Sequence, residues 1–269
     1  MKLAGALNAF ALSKDGTLAQ VGVRAEPAIV RVNLAMRAEL GRSAIPSYAQ
    51  QPSYVYDIEG IPGDADRVLV VYSTSPLSSN TGTALLLDAG VQIGAATPSY
   101  VSADEIAVRD ATTAYAYDAT STGASLYTLG LSAARVSVAK STNDLLDDFA
   151  RDFSFDGQWL VTGEGQAVDP VAPTVVGKYP LRGKIVSNRT LDRVYMVTTD
   201  DTADLEVVVF DRDGFQELGR LTLQGVRGTV LRLRQSPGGT LALVIDSKSD
   251  RLEADNWIVL IRPSALPGS

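Results

Sequence analysis

The sequence predicts an all-β fold, a β-propeller of about six four-stranded blades, on three observations. Short runs rich in Val, Ile, Tyr and Thr alternate with clusters of Gly, Asp, Asn, Ser and Pro, the signature of strands separated by tight turns. A polar turn recurs about every 45 residues along the 269-residue chain, the spacing of propeller blades. The two chain ends are complementary in strand supply: the last unit is one strand short and the N-terminus has one to spare. Runs at helical spacing are scarce. The best covers residues 141–150, one or two turns with Asn143 or Asp144 as N-cap.

The recurring turn is clearest at Ser13-Lys14-Asp15-Gly16-Thr17-Leu18, Ser154-Phe155-Asp156-Gly157-Gln158-Trp159-Leu160 and Ser236-Pro237-Gly238-Gly239-Thr240-Leu241. Weaker copies lie at 62–69 and 187–195, with a degenerate one at 102–106. Asp accepts the turn hydrogen bond and Gly supplies the positive φ, so each copy marks a hairpin. In the fifth unit, residues 193–198, 205–210 and 217–223 follow as second, third and fourth strands, with Asp211-Arg212-Asp213-Gly214 turning between the last two. One such sheet cannot bury both faces alone, so neighbours must stack.

The Ser-x-Asp-Gly-x-x-Leu turn, followed by a strand and a Val-Phe-Asp-type third strand, resembles the TolB-like and YVTN-type β-propeller repeats of bacterial proteins. The resemblance spans nearly the whole chain and implies architecture far more than activity. The third unit departs from it in lacking a clear Asp-Gly. The fourth departs in leaving little chain between Lys178 and Ile185 for an outer strand. Residues 154–159 are also similar to the Asp box of sialidase-like propellers, one residue short between Asp and Gly; that likeness implies a structural turn.

The sixth unit offers strands at 229–234, 241–246 and 257–262, after which only 263–269 remain. Residues 2–7 precede the first inner strand, 8–13, without a partner of their own. The economical expectation is that they complete the last blade and close the ring, since closure leaves no open strand edge. Residues 1–269 are thus read as one domain. Residues 1–11 look superficially like a secretory signal, with Lys2, an apolar stretch and Ala9-Phe10-Ala11. The stretch is short and broken by Gly5 and Asn8, so it reads as strand, and an exported protein would be represented by its mature form or by one domain of a larger chain.

Composition excludes several functions. A net charge of −7 disfavours a nucleic-acid surface, which needs clustered Lys and Arg. No apolar run approaches the roughly 20 residues that span a bilayer, which argues against membrane insertion. The chain has no Cys, so disulfides and thiolate chemistry are absent. It also has no His, removing the usual neutral-pH general base and the commonest metal ligand.

In a four-stranded blade, the loops joining second to third strands share a face with the connections between blades. These loops are expected at 24–27, 73–82, 118–123, 163–173, 200–204 and 246–255. The last three are acidic and supply the candidate ligand- or partner-binding residues: Glu164, Asp169, Asp200, Asp201, Asp204, Asp246, Asp250 and Asp255, with Glu253 alongside. Such carboxylates suit a cationic partner or a calcium ion, which takes six to eight oxygen ligands. Asp200-Asp201-Thr202-Ala203-Asp204 nevertheless lacks the alternate-residue pattern and distal Glu of a calcium loop. Tyr54, Tyr56, Tyr72, Tyr100, Tyr115 and Tyr117 would form either an aromatic platform or packing between blades.

The resulting expectation is a noncatalytic recognition or scaffolding domain, a monomer or part of a larger chain, that binds a protein or glycan through one loop face. The bacterial resemblance implies an extracellular, cell-surface or periplasmic location. The expected cofactor is none, or Ca2+. The alternative is a calcium-dependent propeller hydrolase, lactonase-like or glycosidase-like.

Overall fold

The computed structural model describes residues 7–13, 16–23, 27–46, 54–73, 83–98, 101, 103–118, 125–147, 152–198, 203–236, 239–247 and 255–267. It is an all-β propeller fold of six antiparallel sheets, and the chain divides into two compact units, Met1–Phe149 and Ala150–Ser269, each holding three sheets.

In the first unit the sheets are β1 (Leu7–Leu12), β2 (Leu18–Val23), β3 (Ala28–Asn33), β4 (Ala38–Ala44); β5 (Tyr54–Gly60), β6 (Arg67–Ser73), β7 (Thr83–Asp88), β8 (Val91–Ile93); and β9 (Glu105–Asp110), β10 (Thr113–Tyr117), β11 (Leu126–Leu131), β12 (Val136–Thr142). In the second they are β13 (Phe153–Phe155), β14 (Leu160–Thr162), β15 (Gln166–Asp169), β16 (Thr174–Lys178); β17 (Lys184–Asn188), β18 (Arg193–Val197), β19 (Leu205–Asp211), β20 (Glu217–Leu223); and β21 (Thr229–Gln235), β22 (Leu241–Ser247), β23 (Asp255–Ile261). Each sheet runs in sequence order, so each is a meander closed by local turns. A 3-10 turn, Pro263–Ala265, follows the last strand.

Middle strands are apolar throughout because their two faces meet different sheets. In β6, Val68 and Val70 pack towards β1–β4 with Ala9, Ala11 and Ile29, whereas Leu69 and Val71 pack towards Ile106, Ala114 and Leu129 of the third sheet. In β18, Val194 and Met196 join Val161 and Ala167, while Tyr195 and Val197 join Leu233 and Leu243. The period of two persists, but both parities are buried, each fully buried Val or Leu contributing about 1.5–3 kcal/mol. Outer strands β4, β16 and β20 are largely exposed; β4 and β20 carry charged residues there, and Leu40, Val175, Val176 and Leu218 are apolar residues left facing outward.

Within each unit, one pair of neighbouring inner strands shares no ladder and is joined instead by a buried carboxylate. Asp57 Oδ2 accepts from the Ile106 N–H at 3.1 Å, and Asp152 Oδ2 from the Ile185 N–H at 2.8 Å. Both carboxylates are buried.

The hairpin turns form as expected at the first and last sheets. Gly16 (φ 70°) and Gly239 (φ 83°) donate to the carbonyls of Ser13 and Ser236. Three expectations are corrected. The third sheet turns at Asp110, not at 102–106: Asp110 Oδ1 accepts from the Thr112 N–H at 2.8 Å and its hydroxyl at 2.7 Å, so Thr does locally what Gly does elsewhere. No helix occurs over 141–147, because Ser141 and Thr142 end β12 and Asp144 has φ 56°. In the fourth sheet, residues 166–169 are a strand with Ala167 and Val168 buried, so the outer strand is Thr174–Lys178, ahead of the short stretch between Lys178 and Ile185.

The proposed closing strand at 2–7 lies outside the described residues except for Leu7, which opens β1. Among the described residues the sixth sheet has three strands. Among the described residues, no helix is long and apolar enough to cross a membrane.

Candidate functional site

The second unit contains the edge at which the candidate carboxylates were expected to converge. The β14–β15 turn, 163–165, meets the connection from β16 to β17: Gly163 O accepts from Gly183 N at 2.9 Å, and Gly165 O from Tyr179 N at 2.8 Å. Glu164 lies in that turn, and its Oε2 is 2.7 Å from Arg182 Nε. The next sheet repeats the device. Asp204, just before β19, accepts from Gly225 N at 3.1 Å and from Arg227 Nε at 2.8 Å, both on the connection from β20 to β21. The Arg227 guanidinium and the Gly225 N–H hold the Asp204 carboxyl below its ordinary value.

An acidic residue of the second-to-third loop therefore clamps the next connection in two successive sheets. Among the described residues of the first unit, neutral groups join the third strand, or the loop just before it, to the next connection. Ser125 Oγ donates to Asn143 Oδ1 at 3.0 Å, and the Ala84 N–H donates to Thr97 Oγ1 at 2.8 Å. In these two sheets the second-to-third loop meets the connection that follows, as a four-stranded blade implies, and the arginines at that contact, Arg182 and Arg227, were missed. Each precedes the next inner strand by two residues, a regularity visible only once β17 and β21 are known.

Asp169 does not belong to this edge. It ends β15, and its Oδ1 accepts from the Val171 and Ala172 N–H groups at 2.8 and 3.1 Å, forming the turn into β16 at the other end of the strand. The misplacement follows from reading β15 as loop. Asp246 and Asp255 are strand residues, paired in the ladder with Asn256 and Ser247 respectively. Asp200, Asp201 and Asp250, with Glu253, lie outside the described residues. Among the described residues, no group of three or more Asp, Glu, His or Cys could hold a metal ion.

The Asp156 turn is structural. Its Oδ1 accepts from the Gln158 and Trp159 N–H groups at 3.0 and 2.9 Å, and its Oδ2 from Ser187 Oγ at 2.7 Å. Arg212, 3% exposed, donates through Nε to the same Oδ2, contacts Asp213 and lies 3.8 Å over the Trp159 ring. Trp159 stacks on Phe215, and the Tyr179 hydroxyl donates to the Arg212 carbonyl at 2.7 Å. Burial raises the Tyr179 hydroxyl pKa strongly, which keeps it a neutral donor.

Of the candidate aromatic platform, Tyr72, Tyr115 and Tyr117 are buried between strands and Tyr54 and Tyr56 are half-buried. Tyr100 lies outside the described residues.

No protein-family model and no curated protein matches the chain. Among solved structures it is similar to Kuenenia stuttgartiensis hydrazine synthase, with a TM-score of 0.66 and 12% identity, over 96% of this chain and 84% of that one. The likeness is one of fold alone. A shared propeller framework accommodates unrelated activities, so function rests on the sites themselves.

Proposed function

We propose that residues 1–269 form one noncatalytic recognition domain, which binds a macromolecular partner through the loop edge built by the second-to-third loops and the blade connections. The observation that carries this reading is the pairing of Glu164 with Arg182 and of Asp204 with Arg227. The carboxylates are already engaged, while the arginines stay 76% and 65% exposed at that edge. Paired side chains present fixed donors to a partner at little ordering cost. Of the two partner classes, protein or glycan, protein is favoured. Arg is enriched at protein interfaces, whereas the described tyrosines that would stack on sugar rings are buried or half-buried. The absence of His and Cys agrees with a role that needs no general base or thiolate nucleophile.

The resemblance to TolB-like and YVTN-type repeats supports a bacterial exported protein, extracellular, at the cell surface or periplasmic, either as a monomer or within a longer chain. The test compares the wild type with an Arg182→Glu/Arg227→Glu variant on a displayed peptide library and a glycan array. Peptides selected by the wild type and lost by the variant support the reading. Saturable glycan binding with no peptide selection, or calcium-dependent hydrolysis of lactone or glycoside substrates, overturns it.

A further inference from the structure

A second site lies in the first unit, at the turn edge of its first two sheets. A cleft of about 290 Å³ opens between the β1–β2 and β5–β6 hairpins, with Leu18, Ile61 and Val68 as apolar walls and Gln20, Asp64 and Arg67 as polar ones. Its size is near the lower end of ligand pockets, roughly 300–1,000 Å³, and suits one side chain or a small molecule.

Gln20 is only 2% exposed, and its carboxamide has a fixed orientation. Its Nε2 donates to the Asp66 carbonyl at 3.1 Å. A carbonyl only accepts, so the nitrogen must face Asp66 and Oε1 is turned away from it. Asp66 is itself anchored, since its carboxylate accepts from Arg31 Nη2. Gln20 Oε1 is thereby left buried with no hydrogen-bond partner among the described residues. Arg67 Nε, on the other sheet, is a buried donor in the same condition. Its Nη2 is spent on Asp88 at 3.1 Å, and the Asp64 carboxylate lies 3.6 Å from Nε, outside hydrogen-bonding distance. Asp64 is occupied too, accepting from the Asp66 N–H at 3.1 Å.

Buried polar atoms are nearly always paired, so a cleft whose lining residues hold one unpaired acceptor and one unpaired donor, both closed to water, points to a ligand whose entry turns them towards a complementary pair. The lining charges, one carboxylate and one guanidinium, balance, which favours a neutral group over an ion. The acceptor and donor stand on different sheets, so the ligand needs its donor and acceptor on separate atoms. We infer that this cleft binds a carboxamide, its N–H donating to Gln20 Oε1 and its carbonyl accepting from Arg67 Nε. The amide comes either from an Asn or Gln side chain of a partner or from a free small amide.

The test titrates the full-length, 15N-labelled chain with acetamide, with N-acetylglutamine methylamide and with glycerol, following the Gln20 side-chain NH2 and Arg67 Nε–H resonances. The expected result is a saturable shift with acetamide in the millimolar range, weakened at least about tenfold in Gln20→Met and in Ala65→Leu. Ala65 is exposed on the cleft rim, so its variant narrows the cleft without entering the core. Tighter binding of the capped glutamine assigns the site to a partner side chain, and binding of acetamide alone assigns it to a free amide. No saturation, an acetamide response unchanged in Ala65→Leu, or an equal response to glycerol overturns the inference, the last two by showing binding elsewhere or at a hydroxyl site.

Discussion

Arg212 donates through Nε to Asp156 Oδ2 at 2.6 Å, joining two turns 56 residues apart in the sequence. The pair ties the β13–β14 hairpin to the β19–β20 hairpin of the adjacent sheet. It is almost fully enclosed, and Ser187, Gln158 and the Trp159 face complete the shell around it. Two desolvated charges persist there because each has further hydrogen bonds beyond the other.

Breaking the pair from one side leaves a buried charge without its partner. Arg212→Met is expected to destabilise the protein by about 3–5 kcal/mol. Combining it with Asp156→Asn, which removes the stranded charge and keeps the turn acceptor, should recover part of that loss. Guanidinium unfolding of the two single variants and the double variant measures the difference.

The same carboxylate gives a pH signature. Burial raises the Asp156 pKa, but the bonds from Arg212, the Trp159 N–H, Ser187 and the Gln158 N–H outweigh it, and the net value lies below the ordinary 3.8. A lowered folded pKa contributes stability that is fully present above the unfolded value and lost as pH falls through the folded one. The stability gap between wild type and Asp156→Asn should stay constant down to roughly pH 4 and shrink below it. Urea titrations across that range check the sign.

Asp152 is predicted to matter through a backbone group. Asp152→Ala leaves the buried Ile185 N–H unpaired and should cost about 1–3 kcal/mol. Asp57→Ala should do the same at Ile106 in the first unit. Faster amide exchange confined to Ile185 or Ile106 and their neighbours would separate this loss from global unfolding.

Gly177 sits beneath Phe215, and a Cβ there would overlap the aromatic ring. Gly177→Ala is expected to displace Phe215 from the Trp159 stack, with an overpacking cost of about 1–3 kcal/mol. Near-ultraviolet circular dichroism and Trp fluorescence report the lost stacking directly.

These interactions explain what was legible in the sequence. The Asp-Gly and Gly-Gly turns at residues 13–18 and 236–241 mark their hairpins because positive φ there favours Gly. Strands β18 to β23 are long and strongly β-forming, and their expected positions match the fold. The three-residue strands β13 and β14 and the four-residue β15 give too little periodicity to read, which moved Asp169 to the wrong end of its strand. The turn at Asp110 was missed because a Thr hydroxyl there leaves no glycine in the pattern. The arginine partners of Glu164 and Asp204 are 18 and 23 residues further on, and only the meander brings them back. Nor does any sequence pattern reveal that Gln20 keeps a buried oxygen open.

The loop clamps predict a local effect. Asp204→Ala removes the acceptor of the Gly225 N–H and of Arg227, so exchange at Gly225 should accelerate while the β19–β20 ladder stays protected. Matching acceleration throughout β20 would show that Asp204 supports the whole sheet.

The central claim is that the acidic loop edge is a fixed recognition surface whose carboxylates serve the fold. Calorimetric titration of the full chain with calcium tests it most directly, alongside melting temperature with and without the ion. The account predicts no saturable heat and an unchanged melting temperature. Stoichiometric calcium binding that raises the melting temperature, and that Asp200→Ala or Asp246→Ala abolishes, would contradict it.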